Sequence, residues 1–244
     1  MILFFMKKQL IALVALVAIP AFSFAQTADE VLTKHVAALG GADKIAAIKT
    51  MQYEQTMSIQ GMDLTAKAAY VVGKSVRSDI SVMGQQITNV IDGDSGWMIN
   101  PMSGGTTPQD LPADAMKQAK GTTEPNMFQL AYLKTNKYPY VLVGKEKQNG
   151  KDVYNLKVTR PEGVFNYFLD AATYQLQGFK GAVDVQGQKG ETTANFTDYK
   201  EVEGIMVPFT SDITAPGMPG TITAKLTKIT FNPTVDPAFF SKPK

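Results

Sequence analysis

Met51-Gln52-Tyr53-Glu54-Gln55-Thr56-Met57-Ser58-Ile59-Gln60-Gly61-Met62-Asp63-Leu64-Thr65-Ala66-Lys67-Ala68-Ala69-Tyr70 is the stretch that decides the fold class. Met51, Tyr53, Met57 and Ile59 alternate with polar residues, and after Gly61 so do Met62, Leu64, Ala66, Ala68 and Tyr70. A period of two places successive side chains on opposite faces of a strand, so this is a hairpin with one apolar face. Gly61, Gly73, Gly84 and Gly93 then punctuate runs of about ten residues, the rhythm of an antiparallel meander of four or five strands.

Downstream, strands resume at 138–147, turn at Asn149-Gly150, the strongest hairpin signal in the chain, and continue through 151–159 and 164–170. Further runs at 173–183, 191–199, 205–213 and 221–231 give about eleven or twelve strands, and a sheet that long must curl or close. The one-sided alternation makes its concave face apolar. Between 100 and 137 the rhythm breaks, and Pro112 to Ala119 and Pro125 to Lys134 read as helical pieces in a Gly-, Thr- and Pro-rich stretch. Met116, Met127, Phe128, Leu130, Tyr132 and Leu133 give this interruption an apolar face; the segment 102–137 is therefore expected to be a mobile lid.

Upstream, Thr27 with Glu30 forms a capping box ahead of Val31, Leu32, Val36 and Leu39, and Gly40-Gly41 ends that helix. A short second helix is expected over Asp43 to Ile48. Lys7 and Lys8, the apolar run Leu10 to Ile19 and the small residues Ser23 and Ala25 have the tripartite form of an export signal. Cleavage is expected after Ala25, leaving one domain over 26–244. The apolar run is shorter than the roughly 20 residues of a spanning helix and stops at Pro20. The chain has no cysteine, which removes disulfide frameworks, thiolate metal sites and lipid-modified cysteine. Without Lys7 and Lys8 the chain holds 22 basic and 22 acidic residues, a balance that argues against nucleic acid as a partner.

Catalytic signals are few. His35 is the chain's one histidine, reads as lying among polar neighbours on the first helix, and cannot build a zinc site alone. Asp92-Gly93-Asp94-Ser95-Gly96 begins like a calcium loop, but its twelfth position is Ser103 where an acid is needed; a tight turn is the simpler reading. Gly93-Asp94-Ser95-Gly96 also occurs around the nucleophile of chymotrypsin-like proteases, and His35 precedes it in their order, so a serine hydrolase is a remote alternative resting on a short string. No cofactor is indicated. The connection 215–220 adds Met218 to the adaptable apolar surface.

Asp92 to Pro101, with its aspartate-glycine, tryptophan and asparagine-proline spacing, resembles the signature of LolA-type outer-membrane lipoprotein carriers. The stretch 196–209, and the tail from Ile229 to Pro233 and on through Phe239-Phe240, resemble LolA-like envelope relatives, and the likeness runs from about Tyr53 to Phe240. The resemblance implies an unclosed antiparallel β half-barrel under a helical lid, enclosing an apolar cavity that shields acyl chains. It also implies a periplasmic, non-enzymatic, monomeric carrier or chaperone of lipoproteins or lipids, working between an inner-membrane donor and an outer-membrane acceptor. In such carriers an arginine after the second strand latches the lid. Its position here is held by Lys74, with Arg77 three residues on, and a lysine cannot reproduce the guanidinium fork. Met57, Ile59, Leu64, Tyr70, Trp97, Phe128 and Phe168 are the expected lining of cavity and lid. The alternative of another class is an envelope interaction domain with a filled core.

Overall fold

The computed structural model describes residues 26–161, 163–185 and 188–243; the expected export signal over 1–25 and its cleavage site lie outside the described residues. Helix α1 (Ala28–Ala38) starts as its sequence requires: Thr27 Oγ1 accepts from the Glu30 amide at 3.2 Å, and Glu30 Oε2 accepts from the Thr27 amide at 2.8 Å. It ends at Gly40, whose φ of +120° suits glycine, and a Cβ there would meet the Gly204 carbonyl oxygen. The Leu39 carbonyl accepts from Met206 at 2.9 Å, fixing this helix end to the sheet. Helix α2 (Ala42–Ala46) follows.

Five strands then run as hairpins: β1 (Thr50–Ile59), β2 (Met62–Val71), β3 (Ser75–Val82), β4 (Gln85–Asp92) and β5 (Ser95–Asn100). A sixth, β6 (Gly105–Asp110), pairs with β5 within the segment read from sequence as lid; Gly, Thr and Pro content hid it. After helix α3 (Ala113–Ala119) and a 3₁₀ helix (Asn126–Tyr132) come β7 (Tyr140–Gln148), β8 (Lys151–Arg160), β9 (Gly163–Asp170), β10 (Leu176–Val185), β11 (Gln188–Val202), β12 (Ile205–Thr214) and β13 (Ile222–Phe231). A last 3₁₀ turn covers Pro237–Phe240.

All thirteen strands form one antiparallel sheet in the order β6-β5-β4-β3-β2-β1-β13-β12-β11-β10-β9-β8-β7. Two meanders are joined where the first strand pairs with the last, Met51 opposite Phe231 and Met57 opposite Ala224. The free edges are β6 and β7, which are consecutive in the chain. The sheet is unclosed, and the residues between its edges must cross it.

They cross over the apolar face. Met51, Tyr70, Val76, Ile91 and Phe231 of the sheet pack with Ile45, Ile48, Met116 and Phe128 from the helices and crossing segment. In the other half, Leu156, Val158, Tyr167 and Leu169 pack with Val31 and Leu32 of α1 and with Leu130 and Leu133. The opposite face carries one small cluster, in which Val90 and Trp97 are covered by Phe240.

His35 is fully buried, contrary to the sequence reading, because Val31, Leu32, His35 and Leu39 share one helical stripe. Its Nδ1 lies 2.8 Å from the Tyr174 carbonyl, which fixes Nδ1–H as the donor and docks α1 on the β9–β10 connection. Burial lowers its pKa to about 4 from the ordinary 6.5, so the folded protein holds it neutral. A depressed histidine contributes stability that is fully present above the unfolded pKa and declines as pH falls toward the folded one. Between pH 7.5 and 4.5, urea unfolding of the native chain should lose about 2.5 kcal/mol more than unfolding of His35→Asn, which keeps the donor without the titration. Parallel pH profiles would show that His35 is not the group responsible.

Candidate ligand cavity

One cavity of about 390 Å³ lies on the apolar face, bounded by Tyr53, Met57, Tyr70, Phe179, Ile213 and Leu226 among others. These residues come from six neighbouring strands, β2 to β10 in sheet order, which laid flat would span about 24 Å. Sharing one cavity requires the sheet to curl, so this face is concave. Pro125, Asn126 and Met127 of the crossing segment roof it. Space remains at its centre because Ala194, Ser211 and Ala224 stand on adjacent strands, where larger residues would fill it.

The wall holds no Asp, Glu, Lys, Arg or His among the described residues. Burial raises the pKa of Tyr53 and pushes that of Tyr70 far above the ordinary phenol value, with the neighbouring Tyr53 phenol adding to the Tyr70 shift, so both stay neutral. Their rings stack at 6.1 Å. Gln55 Nε2 meets only the weakly accepting Met57 sulfur, at 3.4 Å, among the described residues. The chamber is apolar, uncharged and supplied with a few neutral hydrogen-bonding groups, the usual make-up of a small-ligand site.

Of the residues expected to line it, Met57 and Tyr70 do. Ile59 and Leu64 share the concave face by register but stand outside the wall, and Phe128 is buried in the core, 6.1 Å from Phe231. Trp97 and Phe168 are corrections. The Trp97 indole donates to the Phe240 carbonyl at 2.9 Å on the convex face. Phe168 pairs with Gly178 in the register opposite to Tyr167, and Lys180 sits over its ring at 5.6 Å. Phe165, Tyr167 and Phe168 are all buried aromatic residues, so apolar alternation in β9 does not say which side faces inward. Phe179, Phe209 and Ile222 of the wall were legible as strand residues but not as cavity residues.

The latch also differs from expectation. Lys74 is exposed, and it is the neighbouring Gly73 amide that donates to the Thr123 carbonyl of the crossing segment at 3.1 Å. Arg77 faces the convex side: it bonds both Asp79 carboxylate oxygens at 2.9 and 3.2 Å and the Phe239 carbonyl at 3.0 Å, holding the tail instead of the lid. The arginine that reaches the lid is Arg160, at the end of β8. Its Nη1 donates to Gln129 Oε1 at 2.5 Å, and the Tyr167 hydroxyl donates to the same oxygen at 2.8 Å. All three side chains are buried.

Ser95 and His35 do not meet. Ser95 is exposed on β5 beside the β4–β5 turn, its hydroxyl bonded to the Asp92 carbonyl, whereas His35 is buried in the other half against Tyr174.

Neither a protein-family model nor a curated protein matches the sequence. Solved structures do. A LolA superfamily protein from Nitrosomonas europaea superposes with a TM-score of 0.60 at 14% identity, over 89% of this chain and 99% of that one. The fold is LolA-like. A DUF1329 family protein from Desulfovibrio piger matches at 0.56 and 11% identity over 87% and 96% of the two chains. A domain from Vibrio parahaemolyticus named for outer-membrane lipoprotein sorting matches at 0.55 and 17% identity over 87% and 95%. At these identities the likeness is one of fold, and the cavity, its roof and the Arg160–Gln129 contact are read from this chain's own residues. Among the described residues no helix is long and apolar enough to cross a membrane.

Arg160→Met keeps the length of the side chain and removes the donor to Gln129. Loss of a charged hydrogen bond should cost about 1.5–3 kcal/mol, felt first where the lid is held. Hydrogen exchange at 126–133 is expected to accelerate while the amides of β1 and β13 keep their protection. Uniform acceleration across the sheet would mean that Arg160 supports the whole fold and not the lid.

Proposed function

We propose that the protein is an exported, periplasmic carrier or chaperone that holds the acyl chains of a lipoprotein or lipid in this cavity without covalent chemistry. The single observation behind the reading is the chamber itself: apolar, uncharged, roofed by a separate segment and left unfilled by its own side chains. An acyl chain gains about 0.8 kcal/mol per methylene removed from water, so eight methylenes contribute roughly 6 kcal/mol before the costs of binding. That suits reversible carriage. A wall without ionised groups favours chains joined through a neutral ester or amide, because a carboxylate brought inside would have no partner. The name of the Vibrio parahaemolyticus domain, for outer-membrane lipoprotein sorting, supports the same ligand class. Delivery from an inner-membrane donor to an outer-membrane acceptor, by a single-domain monomer cleaved after Ala25, completes the proposal.

Ala224 lies on the cavity floor between Met57 and Ser211, so Ala224→Trp should place an indole where the ligand would lie. Titration with a fluorescent acyl ester is expected to show saturable binding to the native chain and at least a tenfold loss in the variant, with a melting temperature changed by only a few degrees. Absence of binding to the native chain, or undiminished binding to a folded Ala224→Trp, would overturn the reading.

A further inference from the structure

The antiparallel order sorts the connections into two ends. Those after β1, β3 and β5 lie at one end, and because Ser58 pairs with Thr223 the β12–β13 connection lies there too. Gln60 Nε2 donates to the Pro219 carbonyl at 2.7 Å, tying two of these connections together. The cavity reaches this end, since Ala215 and Met218 belong to its wall. The other end is stoppered by α2, with Ile45 and Ile48 packed on Met51, Ile205 and Phe231.

The two ends differ in chemistry. Among the described residues, four methionines are exposed, and all four are at the open end: Met83 at 82%, Met102 at 57%, Met62 at 47% and Met218 at 40%. The connections 60–61, 83–84, 101–104 and 215–221 contain no charged residue, and Asp63 is the charge nearest to Met62 in the sequence. At the stoppered end Lys74, Asp94 and Glu203 occupy the connections.

Met83 adds an independent point. It sits at φ +49° before Gly84 at φ +78°, the first central position of a type I′ turn, where asparagine or glycine is favoured and a long side chain costs about 1–2 kcal/mol. At 82% exposure its side chain gains almost nothing from packing in return. Neither backbone preference nor the core explains a methionine there.

We propose that this methionine-tipped rim seats its uncharged connections on a lipid bilayer, where the cavity mouth opens to the acyl layer and exchanges its chain. The proposal rests on the acyl-cavity reading and names the surface that the same site works against. Unbranched thioether side chains on separate hairpin tips can each enter the boundary between headgroups and chains, and flexibility lets them fit a surface with no fixed shape. Because these four connections carry no cation, attachment should depend on apolar burial and not on anionic lipid.

The test uses the full mature chain and two readouts. Sedimentation with phosphatidylcholine vesicles measures rim attachment, and titration with a soluble acyl-ester fluorophore, without vesicles, measures the cavity. The native chain should bind vesicles with little change on adding salt or anionic lipid. The triple variant Met62→Gln, Met83→Asn, Met102→Gln touches no residue of the cavity wall; it should lose attachment about tenfold or more while binding the fluorophore as before. Met83→Asn alone should melt no lower than the native chain, since asparagine suits the turn. Lys151→Asp, beside a connection at the stoppered end, should change neither readout. Probe binding without vesicle attachment by the native chain overturns the rim proposal and leaves the cavity reading standing, as does attachment that needs anionic lipid or survives the triple variant. Failure of probe binding itself would instead remove the cavity reading.

Discussion

The pairing of β1 with β13 is the constraint on which the rest of the structure depends. It joins the start and end of the sheet through eight residue pairs, from Met51 with Phe231 to Ser58 with Thr223. Once those strands are neighbours, each meander can only grow outward, and the two free edges become the strands that flank the middle of the chain. The link from β6 to β7 then has to span the sheet. It takes the concave side because only there can Met116, Phe128, Leu130 and Leu133 be buried against apolar strand faces. The roof of the cavity thus follows from topology together with the hydrophobic pattern of the link.

The same pairing gives the molecule a stoppered end and an open end. Helix α2 directly precedes β1 and must pack near its beginning, so Ile45 and the following Ile48 fill the region around Met51 and Ile205, while α1 lies on the second meander. Among the described residues nothing fills the region beyond Tyr53, where small residues on β11, β12 and β13 keep the wall thin. The bulge between Glu54 and Gln55 in the β1–β13 register falls at this boundary, at the level where packed core gives way to open chamber. A cavity here leaves dispersion contacts of its lining unmade.

Several polar contacts hold segments outside the sheet to it. Arg160, Gln129 and Tyr167 fasten the crossing segment to the second meander, and the Gly73 amide fastens it to the first through Thr123. Arg77 makes a comparable clamp on the convex face, with its guanidinium over the Phe239 ring at 4.3 Å and the tail carbonyl accepting from it. Two arginines therefore hold two chain segments on opposite faces. A guanidinium suits both positions because it can donate in several directions and lie flat on an aromatic ring at once.

Local signals in the sequence were sufficient for the capped first helix, the Asn149-Gly150 hairpin, the strand periodicity and the long one-sided sheet, since each depends on spacing within a few residues. The aspartate-glycine, tryptophan and asparagine-proline spacing pointed to the LolA-like fold. The sequence did not reveal β6, whose Thr- and Pro-rich residues lack alternation and form a strand only because β5 offers an unpaired edge. Nor did it reveal the inward faces of β5 and β9, where apolar residues fall on both sides and the register against β4, β8 and β10 chooses between them. His35 and Arg160 were settled by packing, which buried one helical stripe and brought the end of β8 to the lid. Apolar identity is written locally, but which apolar residues line a space and which fill one is a property of strands far apart in the chain, and only the folded sheet decides it.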